Sequence, residues 1–96
     1  MIIVHDIFIC KPGNASKLAK LFKETMVNNK ELVNIMTDMT GQYNRVVLVS
    51  KFENLTAYEQ SWEKYKDSEE MKKFQETMKG YTEMYQTGSR EIYQVW

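Results

Sequence analysis

The sequence predicts an α+β fold of ferredoxin-like type. The arrangement is βαββαβ: a four-stranded antiparallel sheet with its helices on one face and the second helix broken near Asp67. Three observations predict it. Segments of period two and period 3.6 alternate along the chain in the order strand, helix, strand, strand, helix, strand. The two halves share one β-α-β layout, the split pattern of this fold. The strands carry apolar residues at both parities, so one sheet face needs a cover beyond the helices.

The first strand is Ile2–Cys10, a dense run of β-branched and aromatic residues ended by Lys11–Pro12–Gly13–Asn14. From Ala15 the period changes: Ala15, Leu18, Ala19, Phe22 and Met26 recur at helical spacing with lysines opposite. Asn14 or Ser16 is its expected cap, and Asn28–Asn29 its expected left-handed end. Leu32–Thr40 alternates as a strand, with Val33, Ile35 and Met39 on one side and Asn34, Met36 and Asp38 on the other. Thr40–Gly41–Gln42–Tyr43–Asn44 reads as a turn in which glycine supplies a positive φ. Arg45–Phe52 holds Val46–Val47–Leu48–Val49, a central strand buried on both faces, and forms a hairpin with its predecessor.

Asn54 caps the next helix, where Leu55, Tyr58, Trp62 and Tyr65 share a face. Asp67 or Ser68 interrupts it, and Asp67 with Glu70 has capping-box spacing. Met71, Phe74, Met78, Tyr81 and Tyr85 continue the rhythm, Gly80 frays it and Gly88 terminates the region. Glu91–Trp96 is the last expected strand.

The chain is 96 residues long, one domain's worth, expected to fold as a single unit over 1–96. Hydrophobic residues are 43% and charged residues 27%, which excludes a disordered chain. Thirteen basic and 13 acidic side chains give zero net charge, so no electrostatic footprint for nucleic acid is expected. No stretch is long and apolar enough for a membrane span, and the first residues do not read as a signal peptide. The lone Cys10 cannot form an intrachain disulfide, which points to a cytoplasmic location.

The residues also resemble a known family. The run Ile7–Phe8–Ile9–Cys10–Lys11–Pro12–Gly13 before a Leu/Phe helix resembles the opening of the dimeric α/β-barrel superfamily. So do Thr40–Gly41 before a valine-rich strand, Phe52–Glu53–Asn54–Leu55 before a Tyr/Trp helix, and the ending Gly88–Ser89–Arg90–Glu91–Ile92–Tyr93. The similarity covers essentially the whole chain and is nearest the NIPSNAP-like and antibiotic-biosynthesis-monooxygenase-like branches. It implies a dimer whose two sheets enclose a barrel. Members include oxygenases, isomerases, cyclases and haem-handling proteins. Monooxygenase members place Asn, Trp or Tyr/Arg around an aromatic substrate, and Trp62 and Tyr65 are of that type. Haem-degrading members carry a histidine on a late helix, and Leu55–Tyr85 has none. Cyclase-like members carry an early histidine; His5 is similar, one residue short in its spacing to Lys11–Pro12–Gly13.

Candidate chemistry centres on His5 and Asp6, a general base and a carboxylate. Adjacent strand residues face opposite ways, so the two do not form a simple dyad. Asp6 is expected on the inter-sheet face, with His5 under the helices, and a pairing of Asp6 with Arg45, Arg90 or a lysine is the structural alternative. Cys10 reads as a small buried hydrophobe rather than a nucleophile. Tyr58, Trp62 and Tyr65 are either core or the aromatic wall of a cavity between helix and sheet. One histidine and one cysteine supply no metal-ligand cluster, and no Gly-rich phosphate loop occurs, so no metal, haem or other cofactor is expected.

The leading expectation is a homodimer, packed sheet to sheet, that binds a small apolar or aromatic ligand. One alternative is a cofactor-independent monooxygenase acting on an aromatic or polyketide-like substrate. The other is a structural module with a filled barrel.

Overall fold

The computed structural model describes residues 1–40, 44–66, 68–77 and 79–96. The elements run β1 (Ile2–Cys10), α1 (Ala15–Thr25), β2 (Leu32–Thr37), β3 (Arg45–Phe52), α2 (Leu55–Tyr65), α3 (Glu69–Thr77) and β4 (Tyr85–Gln94), with a 3₁₀ turn at Tyr81–Glu83 before β4. The four strands form one antiparallel sheet in the order β2-β3-β1-β4, the ferredoxin-like arrangement expected. No helix among the described residues is long and apolar enough to cross a membrane.

Period-two alternation in β1 divides the molecule. Ile2, Val4 and Cys10 are buried, and Cys10 joins Leu18, Phe22, Val46 and Leu48 in the core. That parity therefore faces the helices. Phe8 belongs to it, stacking 5.2 Å from Phe22 and 5.0 Å from Tyr85, ring centre to ring centre. Ile3, His5, Ile7 and Ile9 have the opposite parity and stay half-buried on the open face. In β3, Val46 and Leu48 lie opposite Phe8 and Asp6, while Val47 and Val49 lie opposite Ile7 and His5.

Helix α1 follows Gly13, whose φ of +81° suits glycine. Asn14 takes the cap position, but its side chain makes no capping hydrogen bond. The end of α1 differs from expectation. Neither Asn28 nor Asn29 is left-handed; instead the Met26 N–H closes the helix on the Phe22 carbonyl. The Asn29 side chain accepts from the N–H groups of Glu31 and Leu32 and steers the chain into β2.

β2 stops at Thr37 rather than Thr40. Its register shifts between Leu32 and Asn34, so the simple alternation expected there fails. Leu32 and Ile35 pack on the core, whereas Val33 is half exposed and Met39 fully so. Just past β2, the Asp38 carboxylate accepts from the Arg45 N–H at 2.7 Å, tying the end of β2 to the start of β3. Asn44 has φ +63°; Gly41, the residue expected to supply a positive φ, lies outside the described residues.

Asn54 caps α2 as expected, accepting from the Ala57 N–H at 2.8 Å. Asp67 lies outside the described residues. Ser68 starts α3: its hydroxyl accepts from the Met71 N–H at 3.1 Å and donates to the Tyr65 carbonyl at 2.9 Å, joining the two helices. The expected helical rhythm through Tyr85 does not persist. α3 ends at Thr77, Gly80 turns with φ +87°, and Met78 lies outside the described residues. β4 therefore begins at Tyr85 rather than Glu91, because antiparallel pairing with β1 extends across Gly88.

Leu18 is fully buried, so Leu18→Ala is expected to cost about 3 kcal/mol through lost transfer energy and a residual cavity. Val46→Asp is expected to cost at least as much, because it buries an unpaired carboxylate. Urea unfolding followed by circular dichroism measures both.

Candidate functional site

The two first-strand candidates point away from one another, in the opposite sense to the expectation. Asp6 lies on the helix side, directly across from Leu48 and Arg90. His5 lies on the open face, its ring 5.2 Å from that of Tyr93 at 62°. The reason is the parity of β1. Ile2, Val4, Phe8 and Cys10 must feed the core beneath the helices, and Asp6 shares their parity.

The carboxylate is accommodated there because Arg90 stands beside it on β4. The Arg90 Nε–H donates to Asp6 Oδ1 at 2.5 Å. The guanidinium also lies 5.4 Å from the Trp62 ring centre and 5.8 Å from that of Tyr58. Those rings meet edge to face at 6.4 Å, and Tyr58 packs on Phe52 at 5.1 Å. Helix α2 thus roofs an ion pair with two aromatic rings, an arrangement that adds cation–π attraction to charge pairing. Desolvation pulls the Arg90 pKa down, but the hydrogen bond and charge of Asp6 outweigh it, so the guanidinium is held more firmly protonated than usual.

Two groups in this cluster have spare hydrogen-bonding capacity. The Tyr58 hydroxyl is buried without a partner among the described residues. The Arg90 side chain is about half exposed, and its described bond uses only Nε. Trp62 is 48% exposed and borders an open pocket of about 230 Å³ lined with Glu63, Lys66, Met71 and Gln75. That pocket opens between α2 and α3, not between helix and sheet as expected. Tyr65 lies one turn beyond Trp62, half-buried, with the Lys64 ammonium 5.8 Å from its ring. Of the expected aromatic wall, Tyr58 and Trp62 gather around Arg90, and Tyr65 belongs to the neighbouring turn. From the sequence alone Arg90 is one of several structural partners open to Asp6, beside Arg45 and the lysines. A carboxylate in an otherwise apolar strand was the signal that a cation had to meet it.

Elsewhere, burial raises the Cys10 thiol pKa, which suits a core residue and not a nucleophile. Among the described residues no group of three or more His, Cys, Asp or Glu side chains comes together to hold a metal.

The NIPSNAP family model matches residues 7–93. The chain belongs to the NIPSNAP family. Its fold is similar to that of an uncharacterized NIPSNAP domain protein from Burkholderia xenovorans, with TM-score 0.84, 11% identity, and 100% of this chain and 95% of that one covered. A NIPSNAP family protein from Agrobacterium tumefaciens matches with TM-score 0.78 and 13% identity over 97% and 90% of the two chains. A putative antibiotic biosynthesis monooxygenase from Deinococcus radiodurans matches with TM-score 0.61 and 12% identity over 100% and 93%. No curated protein matches this NIPSNAP sequence.

Two outcomes follow from the site. Arg90→Met leaves the Asp6 carboxylate without its cation and is expected to cost about 1–2 kcal/mol, part of which Asp6→Leu restores in the double variant, as urea melts will measure. On the open face, the hydrogen bond that the Tyr93 hydroxyl donates to Glu91 raises the Tyr93 pKa, helped by desolvation and by the carboxylate charge. A raised folded-state pKa means a stability contribution that is complete below the ordinary tyrosine range, near 10, and lost as pH rises through the shifted value. Ultraviolet titration is expected to show a late phenol that Glu91→Ala, which removes both the acceptor and its charge, moves back toward the ordinary range.

Proposed function

We propose that this NIPSNAP-family protein is a homodimer that binds a flat, apolar or aromatic small molecule carrying an acidic oxygen. The observation that carries the reading is the Arg90 guanidinium held between Asp6 and the Tyr58 and Trp62 rings, with a buried Tyr58 hydroxyl beside it that has no partner among the described residues. A ligand ring laid on the exposed side of Trp62 puts an anionic substituent within reach of the free guanidinium nitrogens. A charge-assisted bond there is about twice as strong as a neutral one.

The homodimer half of the reading rests on the open face. Val47, Ile3, Ile7 and Ile9 are only half-covered there, and Met36 and Tyr93 are 41% and 47% exposed. A second sheet packed about 10 Å away would bury them. Zero net charge does not oppose that association, and it gives no reason to invoke nucleic acid or a membrane as partner. The lone buried thiol fits a cytoplasmic setting.

A cofactor-independent monooxygenase is the second reading, favoured by the likeness to the putative antibiotic biosynthesis monooxygenase from Deinococcus radiodurans. In that reaction a substrate carbanion reduces dioxygen, and one oxygen atom leaves as water. Asp6 is committed to Arg90, so it is a poor base. Arg90 is the better-placed group, as an electrostatic stabiliser of a substrate enolate.

1-Naphthoate, a flat aromatic carboxylate, serves as the probe in titration calorimetry. Binding is expected to weaken by about tenfold or more in both Arg90→Ala and Trp62→Ala and to be unchanged in His5→Ala. Absence of binding, or indifference to both substitutions, overturns the ligand site. Oxygen uptake with anthrone that disappears in the same two variants supports the second reading, and uptake no faster than in buffer removes it.

A further inference from the structure

We propose that the open sheet face meets a second copy of this chain through two reciprocal Arg45–Glu91 pairs, with Ile7 on the two-fold axis between them. The inference rests on the homodimer reading and adds a contact set, an axis and a crossing angle.

The first observation is an unmet need. Strand parity puts Arg45 on the open face, opposite Ile9, and its Nε is buried without a hydrogen-bond partner among the described residues. A buried guanidinium nitrogen with nothing to donate to costs stability, and a carboxylate paired with the outer nitrogens of the same guanidinium offsets that cost through its charge. The second observation is a spare acceptor. Glu91 stands on the same face, opposite His5; one carboxylate oxygen accepts from the Tyr93 hydroxyl at 2.8 Å, and the other has no described partner. The two groups cannot satisfy one another within one chain. Arg45 is level with Ile9 and Thr87, two strands from β4, and Glu91 is four residues beyond Thr87. That places them about 10 Å apart across the sheet and about 14 Å apart along it.

Symmetry supplies what distance denies. A two-fold axis lying between two facing sheets exchanges two surface points only if it crosses the midpoint of the line joining them, at right angles to that line. The midpoint between Arg45 and Glu91 is one strand across and two residues along from Ile9, which is Ile7. Ile7 therefore faces its own copy, and an apolar residue is what a self-contact at the centre of an isologous interface requires. From the same spacings the strands of the two sheets cross at about 70°, nearer the orthogonal class of sheet packing than the aligned one. Lys51, also on this face, is exposed beside Ile3 and has solvent for its ammonium, so it makes no comparable demand.

Sedimentation equilibrium of the full chain tests this. Arg45→Glu and Glu91→Arg are each expected to weaken dimerisation by about tenfold or more, and the double exchange to recover most of the loss. Ile7→Asp, which sets two carboxylates against each other on the axis, is expected to give a monomer whose circular dichroism is native. If a charge exchange unfolds the chain, Arg45→Met and Glu91→Gln replace it in the same cycle and are expected to show positive coupling. A monomeric parent protein overturns both the dimer and this contact set. A dimeric parent whose single exchanges have no effect, or whose double exchange only adds the two losses, overturns the Arg45–Glu91 pairs and leaves the dimer standing. A dimer that survives Ile7→Asp overturns the position of the axis.

Discussion

The strict alternation of β1 is the constraint from which the rest of the molecule follows. This strand is hydrogen-bonded on both sides, to β3 and β4, so its residues cannot rotate away from the face that parity assigns them. Ile2, Val4, Phe8 and Cys10 fill the space under the helices, and that choice sends Ile3, His5, Ile7 and Ile9 to the other side. A one-residue slip would exchange the two sets and put a histidine where the core needs an aliphatic side chain. The hydrophobic requirement of four residues therefore decides the surroundings of the two polar ones, His5 and Asp6.

For Asp6 that outcome is costly in isolation, and the fold offsets the cost locally. A half-buried carboxylate needs a cation, and the directly opposed position on β4 is Arg90. The guanidinium in turn needs a roof that is neither water nor bare hydrocarbon. The faces of Tyr58 and Trp62 provide one, because aromatic rings attract a cation through their quadrupole. The consequence for chemistry is a division of labour. The carboxylate is spent on holding Arg90, whose described bond uses Nε alone. A site of this kind recognises and stabilises negative charge better than it abstracts a proton.

The elements most legible in the sequence are those whose pattern is set by one strong signal. β1 and β3 are dense in β-branched residues, and Asn54 is a cap followed by an aromatic stripe, so their limits were readable directly. The misread parts depend on events that leave little trace in composition. The register shift near Asn34 moves Val33 out of the alternation, and nothing in Leu32–Thr37 announces it. Tyr81 and Tyr85 continue a helical spacing by coincidence, while Gly80 and pairing with β1 turn the chain into a strand. At the site, Trp62 and Tyr58 were recognisable as a shared helix face. The facing of Asp6 does not follow from the cost of burying one carboxylate alone. The number of apolar neighbours sharing its parity was the stronger term, and Arg90 removed most of the penalty.

The two faces of the sheet are less independent than their separate chemistries suggest. Arg90 and Glu91 are consecutive on β4; the first points to the aromatic roof and the second to the open face beside His5. In this sheet order β4 is an edge strand, hydrogen-bonded to β1 alone within the chain. Its register is irregular where Cys10 meets Tyr85 and is tied at the far end by the Val95 N–H on the Met1 carbonyl. A strand held on one side yields more readily than one held on both, because fewer hydrogen bonds oppose its movement. Any displacement of β4 that moves Arg90 under Trp62 must also move Glu91 on the opposite face. The sheet thus joins the aromatic-roofed and open surfaces through the backbone of two adjacent residues, and the pleat that separates their side chains is also what couples their positions.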